Sequence, residues 1–405
     1  MFKKIKTQKS IIFVIALGLV LRLINLNQSL WLDEAITALA VKNNSFIELI
    51  TKFSPGDFHP PLYYLFLKFW TMFFGFSEVA LRMPSVIFGV LAIFFIYKIG
   101  GKKAAILMAV NPLGVYYSQE ARMYSLAMLL VTASVFFFIK KKRLLFVMSF
   151  LAALYTDYVP WLMFPVFLSR EIFWIIVGLI PLIPLLLIQI GSVLGVSGSS
   201  WGDILGRASL KNFALVPAKF LFGRISLPVW IYAIFTAVYG YFMTFSRNKI
   251  YWAWFTVPLI LGFVLSFKIP IFTYFRFLFV LPAFILLLSQ SPKKIISFIT
   301  IISLGCLVYF NLNPKFWRED WRSAVNYIKI DPGQIIMPNI AQAASLEYYN
   351  ADLKIKNTSS VYLFRYVQEI FDPGDAQRKL LEVNGYKRTE EKSFNNLLIW
   401  KYEKI

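Results

Sequence analysis

The stretch Leu30-Trp31-Leu32-Asp33-Glu34-Ala35 places two adjacent carboxylates just beyond the first long apolar run of the chain. That run extends from Ser10 to about Leu26 and follows lysines at positions 3, 4, 6 and 9. A cleaved signal peptide begins in the same way, and Ala38-Leu39-Ala40 imitates a cleavage site. Because that site lies too far beyond the apolar run, we expect an uncleaved first membrane span with the N-terminus inside.

The composition indicates a polytopic membrane protein. Of 405 residues, 58% are apolar, 18% aromatic and 16% charged, whereas soluble domains are about half apolar and a quarter charged. The net charge of +21 comes in small Lys and Arg clusters between apolar runs, which is typical of the positive-inside rule and not of a nucleic-acid-binding face. We therefore expect membrane lipid as a partner and no nucleic acid. The single cysteine, Cys306, and the single histidine, His59, exclude a disulfide framework and a Cys- or His-rich metal centre.

About eleven apolar segments approach the roughly 20 residues that a helix needs to cross a bilayer. The segments that this topology leaves inside carry the Lys and Arg clusters, as the positive-inside rule requires. An odd number of spans starting inside leaves the C-terminus outside. The predicted spans are 10–27, 79–99, 103–116, 122–139, 143–156, 158–169, 172–191, 227–245, 250–267, 276–290 and 294–311.

The acidic residues of the apolar part collect on one side of this topology. Only nine precede residue 311, and eight of them fall at or near the outer face, with Glu171 alone inside. Carboxylates are costly within a bilayer and rare there without a function. The outer face is therefore the predicted place of the chemistry. The other eight are Asp33, Glu34, Glu48, Asp57, Glu78, Glu120, Asp157 and Asp203.

The first outer loop, about 27–77, is itself largely apolar. Ala35 to Val41, Phe46 to Phe53 and Pro61 to Phe74 suit helices that lie in the membrane interface. The alternative for Pro61 to Phe74 is another full span, which would place the basic cluster 140–143 outside. A second outer loop, about 191–227, is either a basic loop that closes over an anionic substrate or a plain connector. Its charged residues are Asp203, Arg207, Lys211, Lys219 and Arg224.

Beyond Asn311 the sequence changes to frequent, balanced charges and short periodic segments. It predicts a small extracytoplasmic α/β domain over 312–405, following a transmembrane domain over 1–311. The expected helices are Glu319 to Ile330, Ala341 to Tyr349 and Asp375 to Asn384, and the expected strands are Gln334 to Met337, Val361 to Phe364 and Phe394 to Tyr402.

Five strings in series resemble the GT-C superfamily of membrane glycosyltransferases, in the group of the protein mannosyltransferases and lipid A aminoarabinose transferases, glycosyltransferase family 39. Each string alone is weak, but their order fits the predicted topology over roughly 10–330. The strings are Trp31-Leu-Asp-Glu-Ala35, His59-Pro-Pro-Leu-Tyr-Tyr64, Ala80-Leu-Arg-Met-Pro-Ser85, Tyr117-Ser-Gln-Glu-Ala-Arg-Met-Tyr124 and Tyr274-Phe-Arg-Phe277.

The resemblance implies an enzyme of the prokaryotic cytoplasmic membrane. Such enzymes take a hexosyl or pentosyl unit from a polyprenyl monophosphate and pass it to a lipid, glycan or protein acceptor at the outer face, with inversion. The alternative class is a lipid or sugar transporter or flippase. Internal repeats and buried mid-membrane charges are typical of transporters, and the sequence shows no repeat.

Within this framework Asp33 is the expected general base, because an acceptor hydroxyl needs a carboxylate to take its proton. Glu34 would orient Asp33 or the acceptor. The structural alternative for the pair is a favourable charge at a helix N-terminus. The leaving phosphate needs cations, for which Arg276, Arg122 and Arg82 are the candidates; an interfacial arginine at a helix end is the alternative for each.

His59, Glu120, Tyr124 and Tyr274 are the expected acceptor or substrate contacts. For His59, capping of the following segment is an equal alternative. Glu120 has three open roles: binding a divalent metal with Asp33 or His59, holding Arg122, or contacting the acceptor. The sequence leaves open whether a metal cofactor is used.

Overall fold

The computed structural model describes residues 2–167, 169–196, 209–355 and 358–404. Asp203 and Arg207, from the predicted second outer loop, lie outside these residues. The chain divides into two compact units. The membrane unit comprises 1–26, 44–75 and 79–312, and the C-terminal unit comprises 27–43, 76–78 and 313–405. Residues 27–43, which include Asp33 and Glu34, thus group with the end of the chain.

The membrane unit is helical almost throughout its described residues. A π-helical turn, Leu49–Phe53, and the 3₁₀ segments Val159–Phe167, Ile180–Leu182 and Leu278–Val280 interrupt the α-helices. The α-helices are Phe2–Leu23, Phe46–Glu48, Ser54–Gly56, Leu62–Phe74, Glu78–Val110, Pro112–Tyr117, Tyr124–Ile139, Arg143–Leu154, Ile172–Leu179, Ile183–Val196, Leu210–Phe222, Val229–Met243, Lys249–Leu265, Leu281–Leu288 and Lys293–Leu312.

Three helical stretches of the described residues are long and apolar enough to cross a membrane: Glu78–Val110, Ile172–Gly191 and Lys293–Leu312. The first is two helices joined at Gly101, whose φ of 77° favours glycine because it has no Cβ. This break falls between the predicted spans 79–99 and 103–116. Large apolar side chains such as Phe13 and Ile301 are more than two-thirds exposed, as expected of a surface that faces lipid. The total number of spans stays a prediction.

The Leu62–Phe74 helix bears on the alternative of an extra span in the first outer loop. It has 13 residues and is therefore roughly 20 Å long at 1.5 Å per residue. The hydrocarbon core is about 30 Å thick. The helix is shorter than the hydrocarbon core, but so is the Arg143–Leu154 helix of a predicted span, which has 12 residues. The interfacial interpretation of Pro61 to Phe74 therefore stays a prediction.

A buried arginine ties the first helix to the middle of the membrane unit. Arg22 is 0% exposed, and its guanidinium donates to the carbonyls of Gly18 and Ala109 and to the hydroxyl of Ser118, at 2.9, 3.1 and 3.0 Å. The amide of Gln119 donates to the carbonyl of Ile24 at 2.7 Å. These bonds fix the start of the segment that carries Glu120 and Arg122.

The C-terminal unit contains a four-stranded sheet of order β1-β2-β4-β3. The strands are β1 (Gln334–Ile336), β2 (Ser360–Phe364), β3 (Tyr386–Phe394) and β4 (Leu397–Lys404). β1 and β2 are parallel, whereas β4 is antiparallel to both β2 and β3. The α-helices are Leu32–Asn43, Trp321–Ile330, Ala344–Tyr348, Gln368–Phe371 and Ala376–Val383, and the 3₁₀ turns are Pro314–Phe316 and Ile340–Gln342.

One amphipathic helix supplies much of the core of this unit. Trp321, Ala324, Val325 and Ile328 are all buried, and their spacing of three and four residues puts them on one helix face. The Trp321 ring stacks on Phe364 of β2 with centroids 5.8 Å apart. The predicted helix Glu319 to Ile330 is therefore confirmed, two residues shorter at its start.

The predicted final strand over Phe394 to Tyr402 is confirmed from Leu397 onward, as β4, whereas the preceding strand β3 was not predicted. A hairpin stands there, with β3 ending at Phe394 and β4 beginning at Leu397. Asn395 and Asn396 form the two-residue turn with φ of 47° and 67°. Asparagine tolerates this left-handed conformation, which two-residue hairpin turns need.

Candidate functional site

The membrane unit holds a cavity of about 390 Å³ whose lining is mostly apolar. Its few polar groups come from distant parts of the sequence: His59, Asp157, Tyr158, Gln189 and Arg276. A mostly apolar pocket with a few converging polar groups is typical of ligand sites. The apolar lining residues are Phe58, Val159, Trp161, Leu162, Leu186, Ile190, Leu265, Ile269, Pro270 and Ile271.

His59 lies in a turn that is organised by a neighbouring carboxylate. Asp57 Oδ2 accepts a hydrogen bond from the Tyr64 hydroxyl at 2.6 Å and lies 3.3 Å from His59 Nδ1. Burial by itself would raise the pKa of Asp57, but His59, Arg122 and Tyr64 together lower that pKa to about 2. Asp57 is therefore ionised and orients the His59 ring, which lies in the cavity lining.

Gln189 fixes the same turn from the Ile183–Val196 helix. Its amide nitrogen donates to the carbonyls of Ser54, Asp57 and His59 at 2.6, 2.8 and 3.3 Å. Its amide oxygen accepts from the Tyr158 hydroxyl. One side chain thus joins the turn that carries His59 to the segment that carries Asp157.

Asp157 is a site residue to which the sequence alone assigns no role, although it is one of the acids predicted at the outer face. It lines the cavity, and its Oδ1 accepts the Val159 backbone N–H at 3.1 Å. Burial raises its pKa, against the opposing effect of His59, Arg276 and Arg122. The sequence feature that could have identified it is an acidic residue between two apolar segments, 143–156 and 158–169.

Arg276 lines the cavity, as expected of a ligand-binding arginine. Its Nη1 donates to the carbonyl of Pro270 at 3.1 Å, so that bond holds one end of the guanidinium. The side chain is only partly buried. Among the described residues of the lining, Arg276 and His59 are the two whose side chains can be cationic.

The other two candidate arginines take different positions. Arg122 is 5% exposed and acts electrostatically on Asp57 and Asp157, so it lies behind the polar end of the cavity and does not line it. Arg82 is fully buried, and its Nη1 donates to the carbonyl of Leu26 at 2.9 Å. The structure therefore brings Arg82 to the end of the first helix and not to the cavity lining.

Tyr124 and Tyr274 belong to an aromatic cluster beside these groups. Tyr124 packs edge-to-face on Tyr117 and Phe275, with centroids 5.4 and 5.5 Å apart. Tyr274 packs against Phe275 at 5.6 Å, and Lys219 Nζ lies 5.9 Å from the Tyr274 ring centroid.

Two cations of the second outer loop adjoin that cluster. Arg224 donates to the Tyr116 hydroxyl at 2.8 Å, and Lys219 donates to the Ile225 carbonyl at 3.0 Å. Burial, helped by Arg224, lowers the pKa of Lys219 to about 8. Glu120 is fully buried and acts electrostatically on Arg224. The two cations outnumber the one carboxylate, so this patch suits an anionic group.

Asp33 and Glu34 form the first turn of the Leu32–Asn43 helix in the C-terminal unit. Glu34 is fully buried, and its Oε2 lies 3.6 Å from Nε of the buried Arg318. Asp33 is partly exposed. Over the described residues, no three His, Cys, Asp or Glu side chains converge on a point that could hold a metal ion.

Comparisons with known proteins bear on this arrangement. Residues 58–183 match the family model described as dolichyl-phosphate-mannose-protein mannosyltransferase. The structure is similar to that of ArnT from Cupriavidus metallidurans bound to undecaprenyl phosphate, with a TM-score of 0.56 and 10% identity over 96% of this chain and 97% of that chain. The chain has the fold of ArnT. The apo state of ArnT gives a TM-score of 0.52 and 10% identity over 97% and 98% of the two chains. No curated protein matches the sequence.

The resemblance to the GT-C superfamily is thus confirmed, as is a mostly helical fold with a small C-terminal sheet. The family match spans His59, Glu120, Arg122 and Asp157, whereas Asp33 and Arg276 lie outside it. The cavity lining combines ten apolar residues with His59 and Arg276, a combination that suits a ligand with an apolar tail and an anionic head.

Proposed function

We propose that the chain is an integral glycosyltransferase of the prokaryotic cytoplasmic membrane that uses a polyprenyl-phosphate-linked sugar as donor. The observation that carries the proposal is the apolar cavity with His59 and Arg276 in its lining. The fold adds support, since ArnT has been solved with undecaprenyl phosphate bound. The eleven spans, the inside N-terminus and the outside C-terminal unit are part of the proposal.

In this proposal the prenyl chain enters the apolar part of the cavity, and the phosphate lies between His59 and Arg276. Arginine binds phosphate through a planar fork of donors, and a histidine oriented by Asp57 donates a further hydrogen bond. As the glycosidic bond breaks, the phosphate gains a negative charge, so these donors stabilise the transition state more than the ground state. Arg122 contributes through its charge from behind the cavity, and the buried Asp157 donates to or accepts from the donor sugar.

The acceptor hydroxyl attacks the anomeric carbon from the face opposite the phosphate, which inverts the configuration. The bond to the phosphate oxygen breaks and its electron pair leaves with the lipid phosphate. Asp33 takes the hydroxyl proton. A general base of this kind accelerates the reaction by about 10²–10⁴-fold. Glu34 supports Asp33. Lys219, Arg224 and Tyr274 contact the acceptor, and the buried Glu120 and Tyr124 support them from behind. An anionic group on the acceptor would suit the two cations.

The test is to incubate the purified protein with a panel of radiolabelled polyprenyl-phosphate hexoses and pentoses and lipid, glycan and peptide acceptors. We expect release of free polyprenyl phosphate from at least one donor, with label appearing in an acceptor. Release from no donor of the panel would overturn the proposal, and passage of an intact donor across a liposome membrane would favour a transporter.

A further inference from the structure

The backbone just before Asp33 is held by a tyrosine from the other end of the sequence. The Leu30 N–H donates to the Tyr349 hydroxyl at 2.8 Å, and the Ser29 hydroxyl donates to the same oxygen at 3.2 Å. The Tyr349 hydroxyl in turn donates to Glu78 Oε1 at 2.9 Å. All four residues belong to the C-terminal unit. One phenol oxygen therefore fixes the position from which the Leu32–Asn43 helix begins.

Arg322 contacts Asn27 and Ser29 of the same stretch. Its Nη2 donates to the Asn27 carbonyl at 2.7 Å and lies 2.7 Å from Glu78 Oε1. Its backbone N–H donates to the Ser29 hydroxyl at 3.1 Å. Residues 27–30 have no helix or strand of their own, so their geometry depends on partners such as these.

Arg318 forms an ion pair with Glu34, the carboxylate next to Asp33. Glu34 is 0% exposed and the Arg318 side chain is 4% exposed, and the two form an ion pair of 3.6 Å. The Arg318 backbone N–H donates to the Gln28 side-chain oxygen at 3.2 Å. Removing the cation from a buried ion pair is strongly destabilising, so Arg318 stabilises the first helical turn.

Asp33 itself lies close to residues of the same C-terminal segment. Burial raises the pKa of the Tyr366 phenol, and the charges of Glu319 and Asp33 raise it further. Asp33 is partly exposed and follows the fixed residues 27–30, so these contacts set the backbone from which its side chain extends.

We propose that residues 313–405 are a positioning domain for the catalytic base, with Arg318, Arg322 and Tyr349 as the positioning residues. This inference rests on the proposed function in that Asp33 is taken as the base. It predicts that substitutions more than 280 residues away in sequence change the chemical step without touching donor or acceptor.

The most selective test is Tyr349→Phe, because it removes one oxygen and keeps the ring. Tyr327→Phe is the matched control, since that hydroxyl binds Glu390 in the same unit and does not contact 27–34. Two readouts are taken on the full-length protein in lipid nanodiscs: hydrogen–deuterium exchange of the peptide covering 27–36, and steady-state transfer. We expect Tyr349→Phe to speed exchange about tenfold, since a lost hydrogen bond weakens protection by about that factor, and to lower kcat about tenfold with donor KM within twofold. Tyr327→Phe should change neither.

Arg318→Met and Arg318→Lys test the ion pair. Without the guanidinium the buried Glu34 takes up a proton at a higher pH, so the acidic limb of the kcat–pH profile moves upward, and kcat falls about a hundredfold. Arg318→Lys keeps the charge and should return the limb towards the wild-type position. A purely structural role would lower the amount of folded protein without moving the limb.

The outcomes separate this inference from the proposed function. If Tyr349→Phe leaves exchange of 27–36 unchanged, the positioning role is overturned whatever the activity. If exchange speeds up while kcat stays at the wild-type value, the contacts hold the loop but do not position a base, and the inference is again overturned. If the wild type turns over no donor, the proposed function fails, while the exchange result still decides whether the domain fixes the loop.

Discussion

Gln189 offers a sharp test of how the membrane unit builds its cavity. The side chain is 1% exposed, and its amide donates to the Ser54 and Asp57 carbonyls at 2.6 and 2.8 Å. Gln189→Leu keeps a similar volume and removes the donors. A buried polar group that loses its partner costs about 1–3 kcal/mol, so the two short bonds together predict a loss of about 2–6 kcal/mol in the free energy of unfolding.

The assay is thermal unfolding in detergent, followed by tryptophan fluorescence, together with binding of undecaprenyl phosphate. Because the carbonyls belong to the turn that carries His59, Gln189→Leu should lower both the unfolding temperature and the affinity for the lipid phosphate. Gln290→Leu is the matched control, since that glutamine is exposed and should change stability by less than about 0.5 kcal/mol. If Gln189→Leu unfolds and binds like the wild type, Gln189 does not hold the His59 turn.

Two further predictions concern the cations. Arg276→Gln should raise the donor KM about 10–100-fold, because one charge-assisted phosphate contact is lost. Arg247→Gln, at an exposed position, is the control and should leave the donor KM unchanged. Equal KM values for the two variants would remove Arg276 from the donor site. The folded-state pKa of Lys219 is lowered to about 8, so affinity for an anionic acceptor should fall as pH rises through about 8. The free energy of unfolding should rise between pH 8 and the ordinary lysine pKa of about 10.4, because the unfolded chain binds that proton more tightly. Lys219→Arg should abolish this dependence of the acceptor KM on pH, and a dependence that persists in that variant would assign it to another group.

Much of the membrane unit could be predicted because local hydropathy identifies each apolar helical segment without knowledge of its neighbours. The break at Gly101, the short Val159–Phe167 segment and the Leu62–Phe74 helix all fall where hydropathy and glycine or proline predict them. The final hairpin was predicted only in part, because its first strand, β3, is mostly charged and exposed and shows no alternation of apolar residues. Its turn depends on two asparagines whose left-handed conformation is only one of several they adopt.

The site was predictable in part, and the missing part has one physical cause. His59 and Arg276 stand out as cationic or hydrogen-bonding residues beside apolar runs, and both line the cavity. Gln189 acquires its meaning only through carbonyls 130–135 residues away, and nothing local distinguishes it from any other glutamine. Arg82 resembles Arg276 in sequence, yet Arg82 is fully buried and only Arg276 lies in the cavity lining. Likewise the grouping of 27–43 with 313–405 depends on contacts such as that of Leu30 with Tyr349, which no local pattern records.

The central claim is that a sugar moves from a lipid phosphate to an acceptor hydroxyl with Asp33 as base. Single-turnover transfer at saturating donor, compared between the wild type and Asp33→Asn, tests it most directly. Asparagine keeps the size of the side chain and cannot take a proton, so the rate should fall by about 10²–10⁴-fold while undecaprenyl phosphate binds with unchanged affinity. Transfer by Asp33→Asn at the wild-type rate would contradict the claim.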